Sequence, residues 1–410
     1  MLYDAYEMQR SLLAGASTLA NIGAGWLNNP ANPLSYSQMG PIVASALDVF
    51  AHASAPRGKP EFGIDSTTID GKAIAVTEEI VLRKPFGQLK RFRRANEKGE
   101  DVEGSPKLLM IAPMSGHYAT LLRGTVERML PGHDVYITDW RDAKLVPLAD
   151  GRFDLEDYVD YLIEFMEAIG PGAHMLAVCQ PSVPAYAAAA VMSAGRHPCR
   201  PRTLTLMGGP IDTRKAPTEV NTVATQRPFA WFEHNVIATV PYLYAGAGRK
   251  VYPGFLQLAG FMAMNLGDHL TSHWEMFRHL IDGDGEGAEA TKDFYDEYRS
   301  VCDMTAEFYL QTVDVVFQRH ALPKGEMVHR GRRVDPAAMK DVALLAIEGE
   351  RDDISGVGQT KAALTISTGL PPKLKRYHLA KGVGHYGIFH GTKWRGQIAP
   401  IVEEWISRHG

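Results

Sequence analysis

The stretch HMLAVCQPSVP, residues 174–184, decides the fold. An apolar run leads into Cys179, and Pro181 follows two positions later. Such an unbroken run is typical of a strand that is buried on both faces of a parallel sheet. Proline is favoured in the first turn of a helix, because its φ is suitable and its missing N–H would have no partner there. The stretch therefore predicts a strand, a sharp turn at Cys179 and a helix.

Cys179 would occupy the position of a nucleophile on this turn. Nucleophile elbows usually read G-x-S-x-G, because the strand and the helix approach closely. Ala177 is small, and Gln180 keeps the backbone N–H that such folds use in an oxyanion hole. The start of a helix also favours a thiolate. The competing interpretations are a small buried core cysteine and, as a different nucleophile, Ser182.

Further apolar runs recur along the chain, with helical patterns between them. The strand-like runs cover residues 107–114, 133–140, 202–210, 342–350 and 375–385. Between them, residues 155–170 carry apolar side chains at helical spacing and end in glycine. This alternation predicts an α/β-hydrolase fold, a doubly wound and mostly parallel sheet with a helical cap insertion.

Four segments are expected along the chain. Residues 1–60 form an N-terminal helical and irregular segment, of which 28–60 are rich in Pro, Asn, Ser and Gly and predict a linker. Residues 61–210 form the first part of the hydrolase core. Residues 211–340 form a helical cap, because they show aromatic-rich helical patterns and no clear buried strand. Residues 341–410 complete the core.

The composition bounds the function classes. The chain has 410 residues, of which 45% are hydrophobic and 22% charged, as in a globular protein. The net charge of −4 gives no hint of a nucleic-acid partner. The basic stretch 83–98 follows an apolar run and predicts an exposed hairpin instead. Three cysteines cannot form a disulfide framework and suit a reducing compartment, so a cytoplasmic location is expected.

Residues 1–27 predict an amphipathic helix. Its apolar residues Leu2, Tyr6, Leu12, Leu13, Leu19 and Ile22 fall loosely on one side. No window reaches 18 apolar residues, so no membrane span is expected. A helix packed on the domain is the favoured interpretation, and a helix that touches a hydrophobic particle is the alternative.

Candidate catalytic partners for Cys179 occur at the ends of two later strand-like runs. The triad order of the fold is nucleophile, acid, histidine. Asp352 and Asp353 follow the run 342–350. Asp352 is preferred because it forms a G-x-x-D sequence with Gly349 near the end of the run. His385 lies between glycines in GVGHYG, and His390 is the weaker candidate. In this hypothesis Cys179 attacks an ester, His385 transfers the proton and Asp352 orients the imidazole.

The loop 112–124 follows an earlier strand and is expected to complete the site. Met114 or Ser115 would supply the second N–H of the oxyanion hole. His117 is a candidate for substrate contact. Further candidates in the cap are Trp231, Phe232 and Tyr242, since binding clefts need apolar walls.

Residues 280–293 half-resemble a calcium loop, but the closing position is Asp293 rather than glutamate. A turn between cap helices is the favoured interpretation. The other two cysteines, Cys199 and Cys302, are expected to be packing or surface thiols. We expect no metal and no cofactor.

The chain resembles the intracellular poly(3-hydroxybutyrate) depolymerases, which are related to the polyhydroxyalkanoate synthases. The resemblance runs nearly end to end and rests on MLYDAYEMQR, LMIAPMSGHYATLLRGTVERMLPGHDVYITDWRDAKLVPL, AVCQPSVPA, DFYDEYRSVCDMTAEFYLQTVDVVFQ, EGERDDISG and GVGHYGIFHG. It implies a cysteine nucleophile and a triad of Cys179, Asp352 and His385. It also implies an amorphous polyester in storage granules inside the cell as the partner.

Two other functions remain open at this point. The related synthases also use a cysteine triad, but they normally carry G-x-C-x-G, whereas this chain has Ala177 and Pro181. Water and coenzyme A are both open as acyl acceptors. A granule-coating scaffold that keeps the fold without the chemistry is the non-enzymatic alternative. Self-association of the chain is also left open.

Overall fold

A mixed β-sheet forms the centre of the protein. The computed structural model describes residues 2–37, 39–55, 58–96, 98–264 and 300–410. The strands in this part are β1 (Ser66–Ile69), β2 (Lys72–Lys84), β3 (Gly87–Ala95), β4 (Lys107–Ile111), β5 (Asp134–Trp140), β6 (His174–Val178), β7 (Thr203–Met207), β8 (Ala238–Thr239), β9 (Lys250–Tyr252), β10 (Met304–Thr305), β11 (Val328–His329), β12 (Arg332–Arg333), β13 (Ala343–Gly349) and β14 (Lys375–Ala380). Within the described ranges, the large sheet has the order β1-β2-β3-β5-β4-β6-β7-β13-β14.

Helices cover the sheet and form the connections. They are α1 (Leu2–Leu27), α2 (Gly40–Ser54), α3 (Arg123–Met129), α4 (Leu155–Ile169), α5 (Ser182–Ala194), α6 (Glu219–Gln226), α7 (Phe229–Asn235), α8 (Gly254–Met264), α9 (Ala306–Thr312), α10 (Ala321–Lys324), α11 (Ala362–Ile366), α12 (Gly391–Lys393) and α13 (Ala399–His409). Two π-helical segments, Val313–Gln318 and Trp394–Ile398, continue α9 and α12.

The parallel part of the sheet brings four strand ends to one edge. In the register, Ile111 lies opposite Ala177, Val178 opposite Met207 and Met207 opposite Ile347. The strands β5, β6, β7 and β13 are buried along their whole length, as sheets covered on both faces require. The loops after β4, β6, β7 and β13 therefore leave the core side by side.

The basic stretch 83–98 lies mainly on β3, which pairs with β2 in a hairpin as predicted. The hairpin was expected to be exposed, but β5 pairs with the other edge of β3 and none of the residues of β3 is exposed. Several of its cations are paired with acids: Lys90 Nζ lies 2.5 Å from Glu78 Oε2, and Arg91 Nε donates to Asp134 Oδ1 at 2.8 Å. These ion pairs account for part of the positive charge within the fold.

The N-terminal segment differs from the prediction in two respects. Residues 28–60 contain the helix α2 rather than only irregular chain, because the turn-forming residues are confined to its ends. In α1, the buried positions include Tyr3, Ala20 and Ala24, whereas Leu12, Leu19 and Ile22 are exposed. The predicted sidedness was therefore wrong. Small alanines allow a close approach, and Ser17 Oγ reaches Ala51 O of α2 at 2.7 Å.

The segment between β7 and β13 is not purely helical. The strands β8, β9 and β10 form a small antiparallel sheet, so the expectation of helices alone was incomplete. Residues 300–305 are extended, because Cys302 N donates to Gly116 O at 2.7 Å, and α9 starts only after Thr305. Residues 265–299 of the predicted cap lie outside the described residues. The four-segment division stays a prediction.

Candidate active site

The turn between β6 and α5 holds Cys179 in a strained conformation. Its φ is +66°, a left-handed value that non-glycine residues seldom adopt outside functional turns. Two backbone hydrogen bonds hold this turn: Cys179 N donates to Met207 O at 2.7 Å, and Ser182 N donates to Cys179 O at 3.0 Å. Pro181 has helical angles and lies immediately before the first residue of α5. The turn has the shape of a nucleophile elbow.

Two glycines after β7 make room for this elbow. A Cβ on Gly209 would lie 2.0 Å from Ser182 Oγ and 3.0 Å from Cys179 O. Gly208 has a φ of +57°, and its Cβ would lie 3.2 Å from both Asp352 Oδ2 and His385 Cε1. Side chains at these positions would displace the elbow and its neighbours. The sequence reasoning missed both residues, although GGP at the end of a strand was a signal for them.

The loops after β13 and β14 place a carboxylate against an imidazole. His385 Nδ1 lies 2.8 Å from Asp352 Oδ2, and both side chains are buried. The other carboxylate oxygen, Asp352 Oδ1, accepts hydrogen bonds from Ile354 N at 2.9 Å and Ser355 N at 2.7 Å. The loops are also joined directly, since Arg351 N donates to Val383 O. Asp352 is therefore a fixed acceptor that orients the ring.

The second side of the imidazole faces Cys179. Burial disfavours the charged ring, but the charges of Cys179 and Asp352 and the hydrogen bonds to both side chains raise the pKa of His385 well above 6.5. The three side chains therefore lie in the order Asp352–His385–Cys179, and Cys179 and His385 line the same cavity. An imidazole in this position can exchange a proton with the thiol and with a group bound next to it.

The alternatives for each position lie elsewhere. Asp353 and His390 are exposed. Ser182 is fully buried behind the elbow, where its Oγ faces Gly209. Cys199 and Cys302 are free thiols, and both are buried.

The loop after β4 lies beside the elbow. Met114 N donates to Gln180 Oε1 at 3.2 Å, so the side chain of Gln180 occupies the acceptor position in front of this N–H. Ser115 lines the same cavity as Cys179. The sequence reasoning considered the backbone of Gln180 but missed its side chain.

A cavity of about 560 Å³ opens over Cys179 and His385. Its walls are mostly apolar and include Leu121, Val220, Val223, Phe232, Tyr252, Met304, Tyr309, Val313, Phe317, Tyr386 and Phe389. Of the predicted contact residues, His117 and Phe232 lie on the wall. Trp231 is behind Phe232, with ring centroids 5.2 Å apart. Tyr242 is 99% exposed and does not reach the cavity, because its loop turns outward.

Several wall residues were not predicted. Tyr252 and Tyr309 pack with ring centroids 4.1 Å apart, and Phe317 lies one helical segment further. The helical spacing of Tyr309 and Phe317 gave no sign of which side faces the cavity, since aromatic stripes usually pack in a core. Ser355 and Gln257 are buried polar residues that also line the cavity.

No group of three or more potential metal ligands occurs among the residues that the structure describes. The calcium-like loop 280–293 lies outside them. Within the same ranges, no helix combines the length and the hydropathy that a bilayer crossing requires.

The strand order, the strained residue after β6 and the histidine–carboxylate pair after β13 and β14 define an α/β hydrolase, as the sequence predicted. Residues 208–410 match the family model described as PHB de-polymerase C-terminus, PHB being poly(3-hydroxybutyrate). Residues 208–410 therefore belong to this depolymerase family, and the protein is an α/β hydrolase.

Solved structures of other hydrolases resemble the chain at low identity. The naproxen esterase of Bacillus subtilis is 12% identical, with a TM-score of 0.45 over 82% of this chain and 92% of that chain. The 2-hydroxy-6-oxo-6-phenylhexa-2,4-dienoate hydrolase of Rhodococcus sp. strain RHA1 is 10% identical, with a TM-score of 0.44 over 82% and 99%. The enol-lactonase of Burkholderia xenovorans LB400 is 10% identical, with a TM-score of 0.43 over 78% and 97%. No curated protein sequence matches the chain.

Proposed function

We propose that the chain hydrolyses the ester bonds of poly(3-hydroxybutyrate) and related polyhydroxyalkanoates through an acyl-cysteine intermediate. The observation that carries the proposal is the row Asp352–His385–Cys179 on three neighbouring loops at one edge of the sheet. The family match supports a polyester substrate. The largely apolar cavity suits an aliphatic chain that has only ester groups as polar atoms.

The first half of the reaction forms a thioester. The sulfur of Cys179 attacks the ester carbonyl carbon, and the thiol proton resides on His385. When the tetrahedral intermediate collapses, the bond to the alcohol oxygen breaks, and His385 donates its proton to that oxygen. The shortened polymer leaves with a free hydroxyl end. Asp352 stabilises the imidazolium between these two proton transfers.

The second half consumes water. His385 removes a proton from water, and the resulting oxygen nucleophile attacks the thioester carbonyl. The carbon–sulfur bond then breaks, the sulfur leaves, and the released product carries a carboxyl group. The proton returns to the Cys179–His385 pair, so that one water is used for each ester bond cleaved.

Two backbone N–H groups would stabilise the oxyanion. Gln180 contributes the N–H that directly follows the nucleophile, and Met114 contributes the second. In the structure the Met114 N–H donates to the side-chain oxygen of Gln180. We expect the substrate carbonyl to displace this amide oxygen, which already occupies the position of an acceptor.

The acyl acceptor distinguishes this hydrolase from its synthase relatives. A synthase would transfer the acyl group to a chain hydroxyl instead of water, using the same cysteine. Ala177 and Pro181 replace the two glycines of the synthase motif, which favours hydrolysis. We also propose that the partner is the amorphous polymer of storage granules inside the cell.

The decisive experiment is the clearing of amorphous poly(3-hydroxybutyrate) granules. Wild type is compared with Cys179→Ala and with Ser182→Ala, and the released products are identified by mass. We expect Cys179→Ala to lose at least about 1,000-fold in rate. Ser182→Ala should retain activity, because that hydroxyl is buried behind the elbow.

Mass spectrometry of the protein during turnover adds a direct test. An adduct of one or more hydroxybutyryl units on Cys179 is expected. Incorporation of 3-hydroxybutyryl-coenzyme A into polymer, without granule clearing, would establish the synthase instead. Granule binding without either reaction would establish the scaffold.

A further inference from the structure

Helix α1 carries an exposed apolar stripe. Met8, Leu12, Leu19, Ile22 and Trp26 are between 57% and 71% exposed. At 100° per residue, these five side chains fall within an arc of roughly 80°. Apolar residues scattered singly over a surface need no explanation, whereas a continuous stripe along a whole helix points to a binding surface.

The stripe is not the side by which α1 packs on the protein. The opposite side of the helix carries Tyr3, Ser17, Ala20 and Ala24, which are all buried. Gly23 faces the neighbouring helix α2, where a Cβ would lie 3.1 Å from Leu47 Cδ1. One side of α1 therefore packs against the rest of the protein, while a second, apolar side is exposed to solvent.

Helix α1 is attached to the part of the cap that borders the cavity. The ring of Tyr6 stacks on Phe255 with centroids 3.9 Å apart. Tyr3 donates a hydrogen bond to Asp303 Oδ2 at 2.6 Å. Asp303 immediately precedes Met304, which lines the cavity wall, and Phe255 is the second residue of the helix that follows Tyr252. A surface bound by α1 would therefore be held next to the cap of the cavity.

Two further exposed apolar residues lie on a cap loop that packs against the first turn of α1. Tyr244 packs in the small apolar cluster that contains Tyr3, and the two residues before it are Tyr242 and Leu243. Tyr242 is 99% exposed and Leu243 is 83% exposed. Tyr242, expected on the cavity wall, therefore lies on the outer surface, two residues before a side chain that packs beside Tyr3.

The charge of the N-terminal segment indicates which kind of surface α1 would bind. Residues 1–55 contain three acidic residues, Asp4, Glu7 and Asp48, against the single base Arg10. Helices that bind anionic bilayers carry Lys and Arg on their polar face, and nucleic acids need a positive patch. An apolar stripe on a segment with a net negative charge fits a surface that is apolar and uncharged.

We propose that the stripe Met8, Leu12, Leu19, Ile22 and Trp26 is the surface by which this protein adsorbs to solid amorphous polyester. The proposal rests on the proposed function and adds to it the place of adsorption. The polymer surface is neutral apart from its chain ends, and it is too large to enter the cavity. Adsorption through α1 would hold the cap at the polymer surface, so that chain segments could reach Cys179.

The test is cosedimentation with amorphous poly(3-hydroxybutyrate) granules. Cys179→Ala is the background, so that the granules are not digested during the measurement. The stripe variant is Leu12→Gln/Leu19→Gln/Ile22→Gln. The matched control is Ile80→Gln/Leu148→Gln/Val328→Gln, which changes three other exposed apolar residues. Thermal unfolding checks that both variants fold.

We expect the stripe variant to bind granules at least about tenfold more weakly, because it removes apolar area from the contact. The control should bind as the background does. With Cys179 restored, the stripe variant should hydrolyse a soluble p-nitrophenyl ester at the wild-type rate. The two proposals are thereby tested separately. Weaker adsorption of the stripe variant supports the role of the stripe, whereas a wild type that is inactive on the soluble ester contradicts the proposed function.

Three results would overturn the assignment. The first is equal granule binding by the stripe variant and the control. The second is a change of oligomeric state in the stripe variant with unchanged granule binding, which would make the stripe an interface between two copies of the chain. The third is tighter binding of the background protein to vesicles of phosphatidylcholine and phosphatidylglycerol than to the polymer.

Discussion

The two walls of the cavity are built in different ways. The inner wall, with Cys179, Gly208, Ser355 and His385, comes from loops at the edge of the parallel sheet. The backbone hydrogen bonds of these loops and the close contacts at Gly208 hold this wall in place. Little in it can shift without moving the row of side chains.

The outer wall, with Phe232, Tyr252, Tyr309 and Phe317, comes from the cap. It is held by ring contacts, such as the 4.1 Å between the centroids of Tyr252 and Tyr309. Ring packing is less directional than hydrogen bonding, so this wall tolerates changes of shape. From this difference we expect reactivity to depend on the inner wall and substrate fit on the outer one. Substitutions on the two walls should therefore have different kinetic consequences.

The largest effect is expected for Asp352→Asn on the inner wall. An amide cannot stabilise the imidazolium of His385, and it presents the wrong partner to Nδ1. We expect kcat on a soluble ester to fall at least about 1,000-fold. The matched control is Asp353→Asn, whose side chain is exposed, and it should stay within about twofold of wild type. Similar losses in both variants would contradict the assignment of Asp352.

Gly208→Ala should have the next largest effect. Its Cβ would lie 2.6 Å from Ile388 Cδ1 and 3.2 Å from the two triad atoms, and φ is +57°. We expect kcat to fall about 100-fold, since misplacement by an ångström is enough for such a loss. Stability should fall by about 1–3 kcal/mol from backbone strain.

A second glycine separates strain from displacement of the triad. Gly63 has a φ of +60°, but a Cβ there meets nothing within 4 Å. Gly63→Ala should therefore lose stability, measured by urea unfolding, and keep its kcat. If both alanine variants lose activity in proportion to stability, the close contacts at Gly208 have no special role.

Tyr309→Leu tests the outer wall and should have a smaller, different effect. Loss of ring area should raise KM about threefold to tenfold for an oligomeric ester, with kcat within about twofold. Trp231→Leu, behind the wall, is the control and should leave KM unchanged. A drop in kcat with constant KM for Tyr309→Leu would show that the two walls are not separable.

The smallest effect concerns the pH dependence of stability. The pKa of His385 is raised on folding, so its stabilising contribution is complete below the unfolded value of 6.5 and is lost as the pH rises through the folded pKa. The difference in unfolding free energy between wild type and His385→Gln should therefore shrink from about pH 6 upward. Urea titrations over this range give the difference, and an increase with pH would have the wrong sign.

Much of the inner wall could be predicted from local sequence. The apolar run before Cys179 indicated a buried strand, and Pro181 indicated the start of a helix. An elbow between them could therefore be predicted from residues close together in the chain. Asp352 and His385 each follow a strand-like run, and parallel strands end at one edge of a sheet. For this reason the sequence predicts that the two side chains lie close together, but it does not give the 2.8 Å between His385 Nδ1 and Asp352 Oδ2.

The outer wall and the N-terminal helices could not be predicted to the same depth. The helical spacing of Tyr309 and Phe317 is the same whether a ring faces a cavity or a core. The rule that apolar residues face inward misplaced Leu12, Leu19 and Ile22, because α1 packs through Ala20 and Ala24 instead. The sequence did not predict helix α2, because the prolines and asparagines at its borders are typical of irregular chain.

The sequence by itself determined the fold class, the cysteine on the elbow and the order of its candidate partners. These depend on periodicity and on chemistry within a few residues of the chain. Only the tertiary structure decided that Gln180 Oε1 binds Met114 N, that Gly208 leaves space for the His385–Asp352 pair, and that α1 turns an apolar stripe to solvent. These depend on contacts between residues far apart in the chain, whose distances only the packed molecule specifies.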